Sequence, residues 1–190
     1  MPVNYNNSVP VQFLMECFDY DPDSGVLRWR VRPSSHFKTA AAEKCFNGLR
    51  AGVVAGSDSL VRGRGDIGYL KIGVTYGKQR VVMSVHRICW AIYYGEYPAE
   101  HVDHLNGDGK DNRICNLRSC SAGQNRRNSR ISSLNKTGVS GVEYRPIKRL
   151  YRANCSGVFL GWHKDFFEAV CARKSAELRM GYTARHGVSK

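Results

Sequence analysis

The stretch "VQFLMECF" (11–18) spaces its apolar residues for one face of a helix. The turn-forming "YDPDSG" separates it from "VLRWRV", where apolar and basic residues alternate at the two-residue period of a strand. From residue 33 to 66, Gly, Ser, Ala and Arg dominate without sustained periodicity, which predicts loops with one short strand at "AGVVAG". Order returns with "YLKIGV", the turn "TYGK" and "RVVMSV", the pattern of a β-hairpin, and "HRICWAIYY" predicts a helix closed by Gly95. "EHVDHL" and "NLRSC" make a second pair of short strands, joined through "NGDGKDNRICN", whose Asn-Gly and Asp-Gly dipeptides demand tight turns. Ser121 and Gln124 have the spacing of a capping box, so a helix is expected from Ala122, with Asn125 about one turn inside it.

A polar, turn-rich "SSLNKTG" (132–138) then marks a candidate linker. Beyond it, "GVSGVEYR", "LYRANCS" and "VFLGWH" predict three short strands, and "DFFEAVCARKSAELRMG" one amphipathic helix. Asp165 with Glu168 starts that helix and Gly181 ends it, with Phe166, Phe167, Val170 and Met180 expected on its core face.

Composition narrows the partner. The 190 residues, 42% of them hydrophobic, suffice for one medium domain or two small ones. Lys and Arg number 29 against 16 acids, a net charge of +13 that favours a polyanion, either nucleic acid or an anionic membrane surface. The charge is densest from residue 136 onward, where 11 basic residues face 4 acidic ones. No apolar run nears the roughly 20 residues that span a bilayer. The amino terminus lacks the basic and long apolar regions of a signal peptide, so the expectation is a cytoplasmic protein without a membrane partner. Seven cysteines are scattered without CxxC spacing, which predicts free, mostly buried thiols and no zinc site, with Cys115 and Cys120 as core fillers.

Candidate chemistry concentrates in "HVDHLNGDGKDNRICNLRSCSAGQNRRN". Hydrolysis of a phosphodiester needs a nucleophile made from water and a cation to neutralise the phosphate and the departing oxygen. Asp103 offers a hard carboxylate oxygen and Asn125 a carbonyl oxygen, and so small a ligand set leaves positions for water and phosphate, which suits Mg²⁺ or Mn²⁺. An unperturbed imidazole titrates near neutral pH, which makes His104 the natural general base. Neighbours on a strand point to opposite faces, so Asp103 and His104 reach one site only if the strand ends or bends there. Asn106 and Asn112 read as turn formers, and His86 and His101 as helix-start or core histidines rather than ligands. Arg126, Arg127 and Arg130 crowd the helix beside the site and are expected on phosphates, as is Arg118.

The same stretch resembles the HNH endonuclease motif of phage-type homing endonucleases with a ββα-metal core. Asn116 follows His104 by 12 positions and Asn125 follows it by 21, as in that family. The resemblance implies that Asp103 and Asn125 hold one divalent cation, that His104 activates water, and that Asn116 pins the loop through backbone hydrogen bonds. It covers about residues 13–130, through "YDPDSGVLRWR", "GYLKIGV" and "HRICWAIYYGEYP", and implies a phage gene acting in the cytoplasm of a bacterial host. Asn125, where some relatives carry His, moves the implied metal from zinc or nickel towards Mg²⁺ or Mn²⁺. "TGVSGVEYR", "RLYRANC" and "FLGWHKDFFEAVCARKSAE" resemble an AP2 DNA-binding domain, which implies that Arg145, Arg149, Tyr151, Arg152 and Trp162 meet the major groove.

The expected architecture is therefore α+β. A ββα-metal nuclease core with an N-terminal helix and hairpin elaboration (1–131) leads through a linker (132–136) to an AP2-like three-stranded antiparallel sheet packed on one helix (137–190). The expected function is metal-dependent cleavage of double-stranded DNA by a monomer or homodimer with no small-molecule cofactor. The alternative is a non-catalytic DNA-binding regulator on a vestigial nuclease fold.

Overall fold

In the computed structural model, which describes residues 7–57, 68–128, 131, 134–183 and 186–187, helix α1 (Val11–Cys17) buries Leu14 and Cys17 and passes directly into strand β1 (Phe18–Asp21). Strand β1 pairs antiparallel with β2 (Val26–Trp29), so part of the expected turn is strand and only residues 22–25 reverse the chain. Gly25, at a left-handed φ of 73°, makes so short a reversal possible.

Residues 40–50 depart from expectation, because an 11-residue helix, α2 (Ala40–Arg50), stands where loops were predicted. Thr39 caps it, its hydroxyl accepting from the Ala42 amide at 3.2 Å. Ala, Glu, Lys, Leu and Arg are strong helix formers, and although no residue of α2 is fully buried, Phe46 packs edge-on against Trp29 at 5.1 Å and ties the helix to the core. Val54 of "AGVVAG" forms a bridge to Arg28 of β2, and the end of the predicted loop region, 58–66, lies outside the described residues.

Strands β3 (Lys71–Tyr76) and β4 (Gln79–Ser84) form the expected hairpin, followed by α3 (Val85–Tyr94), which Gly95 closes at φ 76°. Strand β5 (His101–His104) pairs antiparallel with β6 (Leu117–Cys120), placing Asp103 opposite Arg118 and His104 opposite Leu117. One apolar core unites these pieces, built on Leu14, Phe18, Leu27, Val74 and Ile88 with Val102 and Leu117 of the β5–β6 hairpin. Arg87 of α3 donates to the carbonyl oxygens of Glu100 and Pro98, fastening the segment that enters β5.

The chain divides into two compact units between Cys120 and Ser121, eleven residues before the expected boundary at 131. The second unit begins with α4 (Ala122–Arg127) and continues through β7 (Val142–Arg145), β8 (Leu150–Cys155) and β9 (Val158–His163) to α5 (Phe166–Arg179). The three strands make one antiparallel sheet in the order β7-β8-β9, and α5 packs on it over Val142, Ala153 and Ala169. Asp165 caps α5 by accepting from the amides of Phe167 at 2.7 Å and Glu168 at 3.2 Å. Phe167 corrects an expectation: it is 72% exposed, because the buried positions of α5 are Ala169, Arg173, Ala176 and Glu177, which share the opposite face. Within the expected linker, Asn135 and Thr137 are hydrogen-bonded to one another and to the Val139 and Val142 carbonyls, an ordered turn rather than a flexible spacer. Residues 132 and 133 lie outside the described residues.

All seven cysteines are free; Cys17, Cys89, Cys120 and Cys155 are buried, whereas Cys115 is exposed on the loop and is no core filler. No helix among the described residues is long and apolar enough to cross a membrane.

Candidate active site

The loop between β5 and β6 is built by its own polar side chains. Asn106 accepts from the Asp108 amide at 2.8 Å and Asp108 from the Lys110 amide at 3.0 Å, two successive side-chain turns of the kind Asn and Asp favour. Asn116 ties the two ends together. Its Oδ1 accepts from the Asn106 amide at 2.9 Å, its Nδ2 donates to the Asp111 carbonyl at 2.7 Å, and its own carbonyl accepts from the Leu105 amide at 2.8 Å. Asp111 in turn grips Arg113 at 2.6 Å, which holds its carboxyl down at about 2.

Strand β5 ends at His104, and both Asp103 and His104 are buried, at 5% and 1% exposure. Arg118, expected on phosphate, instead turns across the hairpin and places its Nε and Nη2 3.2 and 2.8 Å from Asp103 Oδ2. A charge-assisted fork of this kind sets the direction of a carboxylate as well as neutralising it. His104 Nε2 meets the side-chain oxygen of Asn112 at 3.1 Å, and Asn112 is 2% exposed. The imidazole also sits against Tyr69 and against His86, whose ring centroid is 5.1 Å away at 78°.

Burial is the largest influence on His104 and depresses its pKa, with the Asn112 hydrogen bond and then Asp103 acting in the opposite sense. The ring is therefore neutral and able to take a proton at neutral pH. His86 is pushed down to about 3, first by burial and then by the proximity of His104.

Asn125 lies in the first turns of α4, where the expected capping box forms: Ser121 N donates to Gln124 Oε1 at 2.9 Å and Ser121 Oγ accepts from Gln124 N at 3.2 Å. Asn125 is half-buried and belongs to the second unit, whereas Asp103, His104 and Asn116 belong to the first. Among the described residues no cluster of three or more His, Cys, Asp or Glu side chains is close enough to hold a metal. The Asp103 carboxylate of the first unit and the Asn125 carboxamide of the second each offer oxygen, a donor that suits a hard, largely hydrated cation and not zinc.

The remaining predicted contacts are unevenly placed. Arg127 lies 5.9 Å from the Tyr182 ring, Arg126 is on α4, and Arg130 lies outside the described residues. On the sheet of the second unit, Arg152 pairs with Glu143 on one side and Trp162 on the other, so these three share the face away from α5. Arg145 joins them through an exposed ion pair with Glu143 at 2.9 Å, and Lys148 sits 4.2 Å over the Trp162 ring. Arg149 occupies the β7–β8 turn at φ 52°. Tyr151 alternates onto the other face, where it packs on Phe166 at 5.4 Å, and so is part of the sheet–helix contact rather than of the basic face.

Sequence reasoning missed two parts of the site. Asn112, expected to form a turn, is the hydrogen-bond partner of His104, and Arg118 orients Asp103. The signal for Asn112 was present: a buried imidazole needs a partner for its ring N–H, and the loop supplies carboxamides. Residues 84–131, which span α3 through α4, match the model of the HNH endonuclease family. No curated protein and no solved structure is significantly similar to this chain.

Proposed function

We propose that the protein is a metal-dependent DNA endonuclease of the homing type, which cuts double-stranded DNA with one divalent cation and a histidine base and is held on its target by the basic sheet of the second unit. One observation carries the reading: the HNH family match brackets an Asp-His pair buried at the end of a hairpin whose loop is pinned by an asparagine. Asp103, directed by Arg118, and Asn125 would hold the cation. When bound, that cation, Mg²⁺ or Mn²⁺, supplies positive charge to the phosphate and the departing oxygen. His104 takes the proton of the attacking water; being 1% exposed, it must receive that water from within the site rather than from open solvent. Asn116 keeps the loop, and with it the end of β5, in one conformation. Support for the AP2-like reading of the second unit lies in its three antiparallel strands on one helix and in the Arg145, Arg152 and Trp162 face.

The test is incubation of supercoiled plasmid with the protein and Mg²⁺. Nicked or linear product is expected, with product abolished by His104→Ala and by chelation while DNA binding in a gel shift persists. Cleavage by His104→Ala at the wild-type rate would remove the base, and binding without any metal-dependent cleavage would favour the non-catalytic regulator.

A further inference from the structure

We propose that Asn112 is a positioning residue that fixes the His104 ring in its Nε2–H form, and that the β1–β2 turn is the brace that holds Asn112 in place. The inference rests on the nuclease reading for its consequence but on local geometry for its substance.

The carboxamide orientation follows from its two neighbours. Asn112 Nδ2 lies 3.4 Å from the Lys110 carbonyl, which can only accept, and this turns the side-chain oxygen toward His104 Nε2 at 3.1 Å. An amide oxygen can only accept as well, so Nε2 must carry the hydrogen, and the neutral ring presents its lone pair at Nδ1. Without that acceptor the bond that holds the proton on Nε2 is lost, and a base with its lone pair at the wrong atom does not meet the water.

Asn112 does not owe its position to the loop alone. Asn106, Asp108 and Asn116 organise the tip and the ends, whereas the backbone around residue 112 is gripped from a hairpin some ninety residues earlier in the chain, with Tyr20 and Asn112 92 positions apart. The Tyr20 hydroxyl donates to the Asn112 carbonyl at 2.6 Å, and the Ile114 amide donates to the Pro22 carbonyl at 3.0 Å. Gly25 lies so close that a Cβ there would stand 2.4 Å from the Arg113 nitrogen and 2.7 Å from the Asn112 carbonyl carbon. A side chain at position 25 would have to displace the backbone that carries Asn112. The N-terminal hairpin is thereby part of the apparatus that aims the base, and not only a cover for the core.

The experiment uses the full chain and two readouts. With ring-¹⁵N-labelled histidine, the His104 resonances, assigned through His104→Ala, are expected to show a protonated Nε2 in the wild type and a mixture of tautomers in Asn112→Leu. Cleavage by Asn112→Leu is expected to lose about ten- to a hundredfold in kcat with KM within about twofold, the pattern of a misplaced catalytic group. Asn112→Asp, which keeps an acceptor, should recover most of that loss, and Tyr20→Phe and Gly25→Ala should lose kcat in the same sense. An Nδ1-protonated ring in the wild type overturns the proposal, as does wild-type kcat in a folded Asn112→Leu. Should Asn112→Leu fail to fold, the wild-type ring spectrum and Tyr20→Phe still decide. A wild type that cuts no DNA with any divalent cation removes the nuclease reading, while the ring spectrum continues to judge the role of Asn112.

Discussion

His86 and His104 are buried against each other and the half-buried Tyr69, neither imidazole is charged, and the cost of keeping them neutral shows as a dependence of stability on pH. His86 has its folded-state pKa near 3 against an ordinary value of 6.5. In the unfolded chain it binds a proton below 6.5 and in the folded chain it does not, so the stability is complete above that pH and is lost as pH falls from 6.5 toward 3. The slope is about 1.4 kcal/mol per pH unit for this one group. His104 and His186 shift in the same direction, whereas Asp111, with its pKa near 2, acts only below the ordinary carboxylate range. Urea unfolding at pH 7 and pH 5 should therefore give a lower stability at pH 5, and His86→Phe should flatten that difference. An unchanged slope in His86→Phe would show that other groups set it.

At the scale of elements, short pieces are stable here because their ends are capped and one face is packed. Helix α5 is held by the Asp165 cap and by Ala169, Arg173, Ala176 and Glu177 against the sheet side, while Phe167 stands in solvent. Asp165→Ala should cost about 1 kcal/mol, the usual loss for an N-cap. Phe167→Ser, despite removing an aromatic ring, should stay within about 0.5 kcal/mol of wild type, as surface changes do. Thermal or urea unfolding of the two variants checks both, and a larger loss at Phe167 than at Asp165 would contradict this account of the helix. The β5–β6 hairpin follows a different rule, since its loop carries little apolar surface and is ordered by Asn106, Asp108, Asp111 and Asn116 bonding to backbone and to one another.

At the scale of the whole molecule, the proposed association with DNA would, at a net charge of +13, be driven by counterion release. If the face bearing Arg145, Lys148 and Arg152 meets phosphates, replacing each by Gln should lower the slope of log affinity against log salt by about 0.9 for every phosphate no longer neutralised. Fluorescence anisotropy with duplex DNA between about 50 and 200 mM salt, the range over which such ion pairs weaken most visibly, measures it. An unchanged slope would mean that this face does not lie on the nucleic-acid backbone.

The order of elements was legible in the sequence wherever periodicity or caps are local: both hairpins flanking α3, the box at Ser121 and Gln124, and the three strands and helix of the second unit. Helix α2 escaped because it meets the core chiefly through Phe46 and fully buries no residue, and Phe167 was misplaced because a run of two aromatics leaves open which one faces the sheet. The spacing of Asp103, His104, Asn116 and Asn125 is likewise a property of the chain alone, since it counts positions along a strand, a loop and a helix start. Partners across the fold are another matter. That Arg118 grips Asp103, that Asn112 faces His104, and that Tyr20, 92 positions away, and Gly25 brace Asn112 were decided by tertiary packing, because hydrogen bonds and close approaches depend on distance in space.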